Sequence, residues 1–170
     1  MECIGAIAGV SLHLRSRLYG SHPLGPADQP DFVNAAAGVL TQLEPRGLLE
    51  ELRAVERAFG RPDERTKWGP RVLDLDLLVH ARVRCDDRDL KLPHPGIAER
   101  NFVLYPLADI APDLEVPGLG RVAELRQRVS PSGIWPLEGP AANRLADPPA
   151  NPPGIRPANR PASAVRSRVP

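Results

Sequence analysis

A single domain of mixed helix and strand is what this sequence predicts, and three observations predict it. The first is the run over residues 72–79, short, rich in Val and Leu and preceded by the breaker Gly69-Pro70, which reads as a buried strand. The second is the stretch 45–59. Pro45 suits the first turn of a helix, Leu48, Leu52, Val55 and Phe59 recur at helical spacing, and Gly60 ends the pattern. The third is a pair of strand-like segments ahead of that helix, an alternating one over 10–19 and a mostly apolar one over 32–41. A chain of 170 residues is long enough for one domain with a real core.

The elements follow in order. Residues 1–9 are small and apolar, fitting a helix end or a frayed start, and their glycines follow no nucleotide-loop pattern. In 10–19, Val10, Leu12 and Leu14 alternate with Ser11, His13 and Arg15, as in a half-buried strand, with His13 on the solvated side. Gly20 to Asp31 is a loop stiffened by Pro23, Pro26 and Pro30. In 45–59, Glu50, Glu51, Arg53 and Arg57 line the sides of the helix away from its apolar stripe, and Glu56 reads most simply as a solvated glutamate. Residues 60–70 form a charged loop carrying Arg61, Asp63, Glu64, Arg65 and Lys67, with Trp68 near its end. Beyond 79 come a polar turn region, then Leu92-Pro93-His94-Pro95, in which the prolines hold His94 rigidly, then Arg100-Asn101-Phe102.

Composition excludes several classes. Net charge is +1, which carries no nucleic-acid or membrane signal. Cys3 and Cys85 are too few for a disulfide framework and have no metal-ligand spacing, as in a reduced, cytoplasmic protein. No apolar run approaches the roughly 18 residues of a membrane span, and the acid at Glu2 stands where a signal peptide wants a base. From Gly139 onward five arginines face one aspartate, a net of +4 that leaves −3 for the rest. In those 32 residues eight are Pro, seven are Ala and none is aromatic, so the reading is a domain over 1–138 and a disordered tail over 139–170.

The chemistry centres on Asp74 and Asp76. Strand alternation puts both on one face of 72–79, about 6.6 Å apart along the axis, with Leu73, Leu75, Leu77 and Val79 on the other. Two like charges on an otherwise apolar strand are costly unless a cation or hydrogen-bond donors neutralise them. A hard divalent ion is the natural partner, since Mg²⁺ takes one or two carboxylates plus substrate phosphates. Arg71, just before the strand, could grip a phosphate in bidentate fashion. A solvated acidic face is the plainer account of Asp-x-Asp taken alone.

Taken whole, Trp68-Gly69-Pro70-Arg71-Val72-Leu73-Asp74-Leu75-Asp76-Leu77-Leu78 resembles the signature of the hydroxymethyldihydropterin pyrophosphokinases, folate-pathway enzymes that move pyrophosphate from ATP to a pterin alcohol. Pro23-Leu24-Gly25-Pro26, Gln29-Pro30, Phe32 and Asn34 resemble the segment that forms one wall of the family's pterin pocket. There Phe32 would offer a ring to a flat heterocycle and Asn34 a donor and an acceptor, where the plainer account makes Phe32 core and Asn34 a turn residue. The resemblance implies a ferredoxin-like α+β sandwich with an antiparallel-dominated sheet and helices on one face. It implies two Mg²⁺ ions on Asp74 and Asp76, with Arg61 and Arg71 contacting the transferring phosphates, and a lid formed by the 60–70 loop. Leu77, His94 and Arg100 would complete the ATP contacts, and Leu24, Phe32, Asn34, Trp68 and Phe102 the pterin pocket. Glu56 corresponds to a family acid. The substrates would be ATP and 6-hydroxymethyl-7,8-dihydropterin, and the protein a monomer without nucleic-acid or membrane partners.

One departure stands out. The family opens with a strand, a Gly-Ser-Asn turn and a helix ahead of the segment matching 10–19, and only nine residues precede that segment here. The resemblance therefore implies an N-terminally incomplete fold whose sheet lacks an interior strand. Two further classes stay open on the sequence: an inactive or weakly nucleotide-binding remnant serving as an interaction module, or another metal-dependent phosphotransferase or nuclease using the same Asp pair.

Overall fold

The computed structural model describes residues 2–23, 30–60, 73–137 and 162–169. In chain order these form α1 (Glu2–Gly5), β1 (Val10–Arg15), β2 (Tyr19–Ser21), β3 (Phe32–Thr41), α2 (Pro45–Ala58) and β4 (Asp74–His80). The hairpin β5 (Cys85–Asp86) and β6 (Lys91–Leu92), α3 (Asn101–Ile110), the hairpin β7 (Glu115–Val116) and β8 (Gly120–Arg121), α4 (Val122–Arg128), β9 (Ile134–Pro136) and β10 (Ala162–Val169) follow. The main sheet runs β4-β10-β3-β2-β9, with β1 also paired to β3, and every pairing in it is antiparallel. This is an α+β fold of the ferredoxin-like kind.

The segment predicted as one strand over 10–19 is two short strands lying along the same edge of β3. Ser16 marks the break: its N–H donates to the Ala36 carbonyl at 2.9 Å while its hydroxyl accepts the Ala36 N–H at 2.8 Å. A side-chain oxygen thus takes over one rung of the ladder, and the register has already shifted between Leu12 and Leu14. The slip carries Leu14 out of the expected half-buried alternation, so that Val10 is buried and Leu14 is 43 % exposed. Leu14 lies across Gly38, where an added Cβ would come within 3.0 Å of the Leu14 Cβ.

Helices cover both faces of the sheet, correcting the expectation of one. Ala37 and Val39 of β3, Leu75 and Leu77 of β4 and Val165 of β10 pack with Ile4, Ile7 and the α2 residues Leu48 and Leu52. On the opposite face Ala36, Leu78 and Ala164 pack with Phe102, Val103, Leu104 and Leu107 of α3 and with Val122 and Leu125 of α4. The reason lies in the strands: Ala35, Ala36 and Ala37 are consecutive and buried, so both faces of β3 are apolar and both need cover. Val79 joins the second cluster rather than the Leu75 face, because the β4–β10 register shifts between Leu77 and Val79. Arg17 and Tyr19 fasten α3 to this sheet, donating to Asp109 at 2.9–3.0 Å.

The largest correction concerns the tail. Residues 162–169, expected to be disordered, form β10 and fill the interior position between β3 and β4 that the sequence reading left empty. No proline interrupts the stretch between Pro161 and Pro170, and Val165 is fully buried. Averaging composition over all 32 residues concealed eight that can pair on both edges. The proposed boundary at 138/139 falls outside the described residues.

Candidate active site

Strand alternation places Phe32, Asn34 and Ala36 of β3 on the α3 side of the sheet, together with Asp74 and Asp76 of β4 and Ala164 and Arg166 of β10. The register then sets the distances. Arg166 is paired with Asp76 on one side and Ala36 on the other, and Arg168 is likewise between Asp74 and Asn34. The acidic strand and the Phe32–Asn34 wall are therefore one strand apart on each side of β10, roughly 9–10 Å between backbones.

Asp76 is the electrostatic centre. Its Oδ2 accepts from Arg166 Nη2 at 2.5 Å, and its Oδ1 lies 4.0 Å from His94 Nε2. Burial pushes the Asp76 carboxyl up, but Arg166, His94 and, further off, Arg100 outweigh it and hold the group below the usual carboxylate range. His94 is depressed by burial and by Arg100 and Arg166, against the pull of Asp76 and Asp74. Its Nδ1 accepts the Gly96 N–H at 3.1 Å, so the neutral ring carries its proton on Nε2, facing Asp76. The loop that positions it is anchored by the His94 N–H, which donates to the Leu78 carbonyl of β4 at 2.8 Å.

Phe102 lies at the start of α3, 6 % exposed, with the guanidinium carbons of Arg166 and Arg100 at 5.1 and 5.8 Å from its ring centre. Gly96 makes room for Arg100: a Cβ there would sit 2.5 Å from Arg100 Nε. Asn34 is fully buried; its amide donates to Ser21 Oγ at 2.9 Å, while Oδ1 has no partner among the described residues. Phe32 is buried at 9 %. Leu77, an expected ATP contact, points into the α2-side core, yet with Asp76 and His94 it lines a cleft of about 250 Å³ at the outer edge of β4. That cleft also gathers Arg53, Arg88 and Lys91, none of which the sequence singled out.

Asp74, Asp76, His94, Arg100 and Phe102 are thus brought together, with Asn34 and Phe32 across β10. Leu24, Arg61, Trp68 and Arg71, and with them the lid, lie outside the described residues. Glu56 corrects a reading: it is 1 % exposed rather than solvated, and its Oε1 accepts the Leu75 N–H at 2.7 Å. Arg166 was missed altogether. Its only sequence signal is the alternation of small residues, Val165 and arginines over 162–169, and register with β4 cannot be read from one strand.

Residues 2–112 match the family model described as 7,8-dihydro-6-hydroxymethylpterin-pyrophosphokinase (HPPK). A 2-amino-4-hydroxy-6-hydroxymethyldihydropteridine pyrophosphokinase of Methylorubrum extorquens is 44 % identical over 138 residues, covering 81 % of this chain and 86 % of that protein. One of the same name from Pseudomonas aeruginosa is 48 % identical over 124 residues, covering 73 % and 76 %. The Folic acid synthesis protein fol1 of Pneumocystis carinii is 39 % identical over 133 residues, covering 78 % of this chain and 18 % of its own length. The family match and these relatives make the chain a transferase, a pyrophosphokinase of folate biosynthesis. More narrowly, the chain belongs to the 7,8-dihydro-6-hydroxymethylpterin-pyrophosphokinase family.

Proposed function

We propose that the chain transfers pyrophosphate from ATP to 6-hydroxymethyl-7,8-dihydropterin in a Mg²⁺-dependent reaction. The observation that carries this reading is the convergence on one sheet face of an acidic pair, a neutral histidine, an aromatic ring and a buried amide whose oxygen has no partner among the described residues.

Each part has a task. Asn34 Oδ1 accepts from an N–H on the amide-like edge of the pterin, a partner that no described residue supplies. Phe102, with Phe32 across the sheet, offers ring faces to the flat heterocycle. The cleft at the edge of β4 would take ATP, with Arg53 and Arg88 as its cations beside Asp89, Lys91 already paired with Asp86, and His94 Nε2–H as a neutral donor to a phosphate oxygen. The pterin hydroxymethyl oxygen, giving up its proton to solvent, then bonds to the β-phosphorus as the bond from that phosphorus to the α–β bridging oxygen breaks, and AMP leaves. Arg100 beside Phe102, together with Arg61 and Arg71, offsets charge developing on the phosphates.

The donor set fits a hard cation. Asp74 and Asp76 lie on one face of β4 and offer carboxylate oxygens there, the Asp76 Oδ2 shared with Arg166. Two carboxylates completed by substrate phosphates is the habit of Mg²⁺. When bound, such an ion would polarise the phosphate oxygens and neutralise their charge.

The test is AMP formation from ATP in the presence of 6-hydroxymethyl-7,8-dihydropterin and Mg²⁺. Pterin-dependent release that is lost in Asp76→Asn is the expected result. ATP turnover indifferent to the pterin would instead favour another metal-dependent phosphotransferase.

A further inference from the structure

We propose that Arg166 is an internal cation that closes the active site, competing with the metal for Asp76 and with the pterin for the face of Phe102. The inference rests on the assignment of Asp76 and Phe102 under Proposed function. Arg166 stands directly opposite Asp76 in the β10–β4 register, and its Nη2 bonds Asp76 Oδ2 at 2.5 Å. The same guanidinium lies over Phe102, its carbon 5.1 Å from the ring centre. One flat cationic group therefore covers both the carboxylate expected to bind a divalent ion and the ring expected to stack a flat heterocycle.

The details separate this contact from a purely structural ion pair. Arg166 is 1 % exposed, yet its Nε and Nη1 have no hydrogen-bond partner among the described residues. A buried arginine selected only to hold the sheet together would have its remaining N–H groups satisfied, because each one left bare opposes burial. Among the described residues the guanidinium is held through one nitrogen to Asp76 and through its face to Phe102. Both of those partners are the groups a ligand would claim. A divalent ion on Asp76 would stand next to a fixed positive charge on the same carboxylate, with Arg100 also acting on that group. The two cations exclude each other. By linkage, whatever factor Arg166 takes from metal affinity, metal takes from the Arg166–Asp76 contact.

The full chain tests this with Mn²⁺ alone, titrated calorimetrically, and with 6-hydroxymethylpterin followed by fluorescence. Arg166→Met keeps the length and apolar body of the side chain and removes the charge. Close charge pairs at buried contacts couple strongly enough that the Mn²⁺ Kd should fall by about tenfold or more, and pterin affinity should rise. Arg166→Lys keeps the charge and should stay nearer the parent protein.

A second measurement needs no variant and decides the matter if Arg166→Met fails to fold. Arg166 in the parent chain should resist modification by butanedione, read by mass spectrometry, and become reactive when Mn²⁺ and the pterin are added. Unchanged Mn²⁺ and pterin affinities in Arg166→Met, or reactivity of Arg166 that ligands do not alter, would overturn the proposal while leaving the metal and pterin assignments intact. Weaker binding in Arg166→Met would overturn it by making Arg166 a helper. Failure of every form to bind Mn²⁺ or pterin would remove the proposal and the assignment of the site together.

Discussion

Asn34 shows what a single buried polar atom can reveal. Its amide nitrogen is committed to Ser21, its oxygen to nothing among the described residues, and the side chain is fully buried. Leaving an acceptor bare costs on the order of 1–3 kcal/mol, so a ligand that donates to it recovers that amount. Asn34→Leu removes that bare oxygen but takes the donor from the buried Ser21 hydroxyl, so it should fold with a loss on the order of 1–3 kcal/mol. It should also bind 6-hydroxymethylpterin about 10- to 100-fold more weakly, since each 1.4 kcal/mol is about tenfold. Calorimetry and a thermal melt on the same sample check both halves. His94 supplies a pH signature. Burial together with Arg100 and Arg166 holds its pKa below the ordinary 6.5, so the unfolded chain takes up a proton at a pH where the folded one does not. The stability contributed by keeping His94 neutral is present above about pH 6.5 and is lost as pH falls through its lowered pKa. Melting temperature should decline across that window in the parent and decline less in His94→Gln. Asp76, also lowered, acts in a separate window, contributing stability above its ordinary 3.8 that is lost at more acid pH.

At the scale of elements, local pattern carried far. β3 spans Phe32–Thr41 and α2 spans Pro45–Ala58, close to what apolar spacing and the proline predict. Asp74 and Asp76 share a face of β4 as alternation requires, because that argument needs only one strand. Glu56 was misread because its partner is a backbone N–H on another element. On the helical wheel it adjoins the apolar stripe near the end of α2. Only packing of α2 against β4 shows that its buried carboxylate caps the outer edge of that strand at Leu75. The break at Ser16 was hidden for the same reason, since its hydroxyl substitutes for a backbone rung of β3. Glu56→Ala should therefore cost about 1–3 kcal/mol by leaving the Leu75 N–H bare, whereas Glu56→Gln keeps an acceptor and should cost less. Urea titrations of the two variants separate them. Equal losses would show that charge, not the hydrogen bond to Leu75, is what matters there.

For the whole molecule the decisive feature is β10. Segment composition misled because order depends on what a segment meets, and residues 162–169 meet open edges on two sides. Along β3 they are paired from Val33 to Leu40, and along β4 from Asp74 to His80. Val165 is fully buried in the α2-side cluster, and Ala164 lies in the α3-side cluster, so one strand contributes to both halves of the core. Removing it would bare the facing edges of β3 and β4 in the middle of the sheet, each buried orphan costing on the order of 1–3 kcal/mol. A domain of this size holds only about 5–15 kcal/mol in reserve. A chain ending at Leu137 should thus lose its cooperative melt or melt many degrees lower, and its open β3 and β4 edges should promote association with other copies. Val165→Asp in the full chain should do nearly the same, because it sets an unpaired charge in the core without shortening anything. Circular dichroism melts and sedimentation of the three proteins provide the measurement. If the chain ending at Leu137 melts within a degree or two of the full chain and stays monomeric, β10 contributes nothing to the fold. In that case the gap between β3 and β4 must close by some other route.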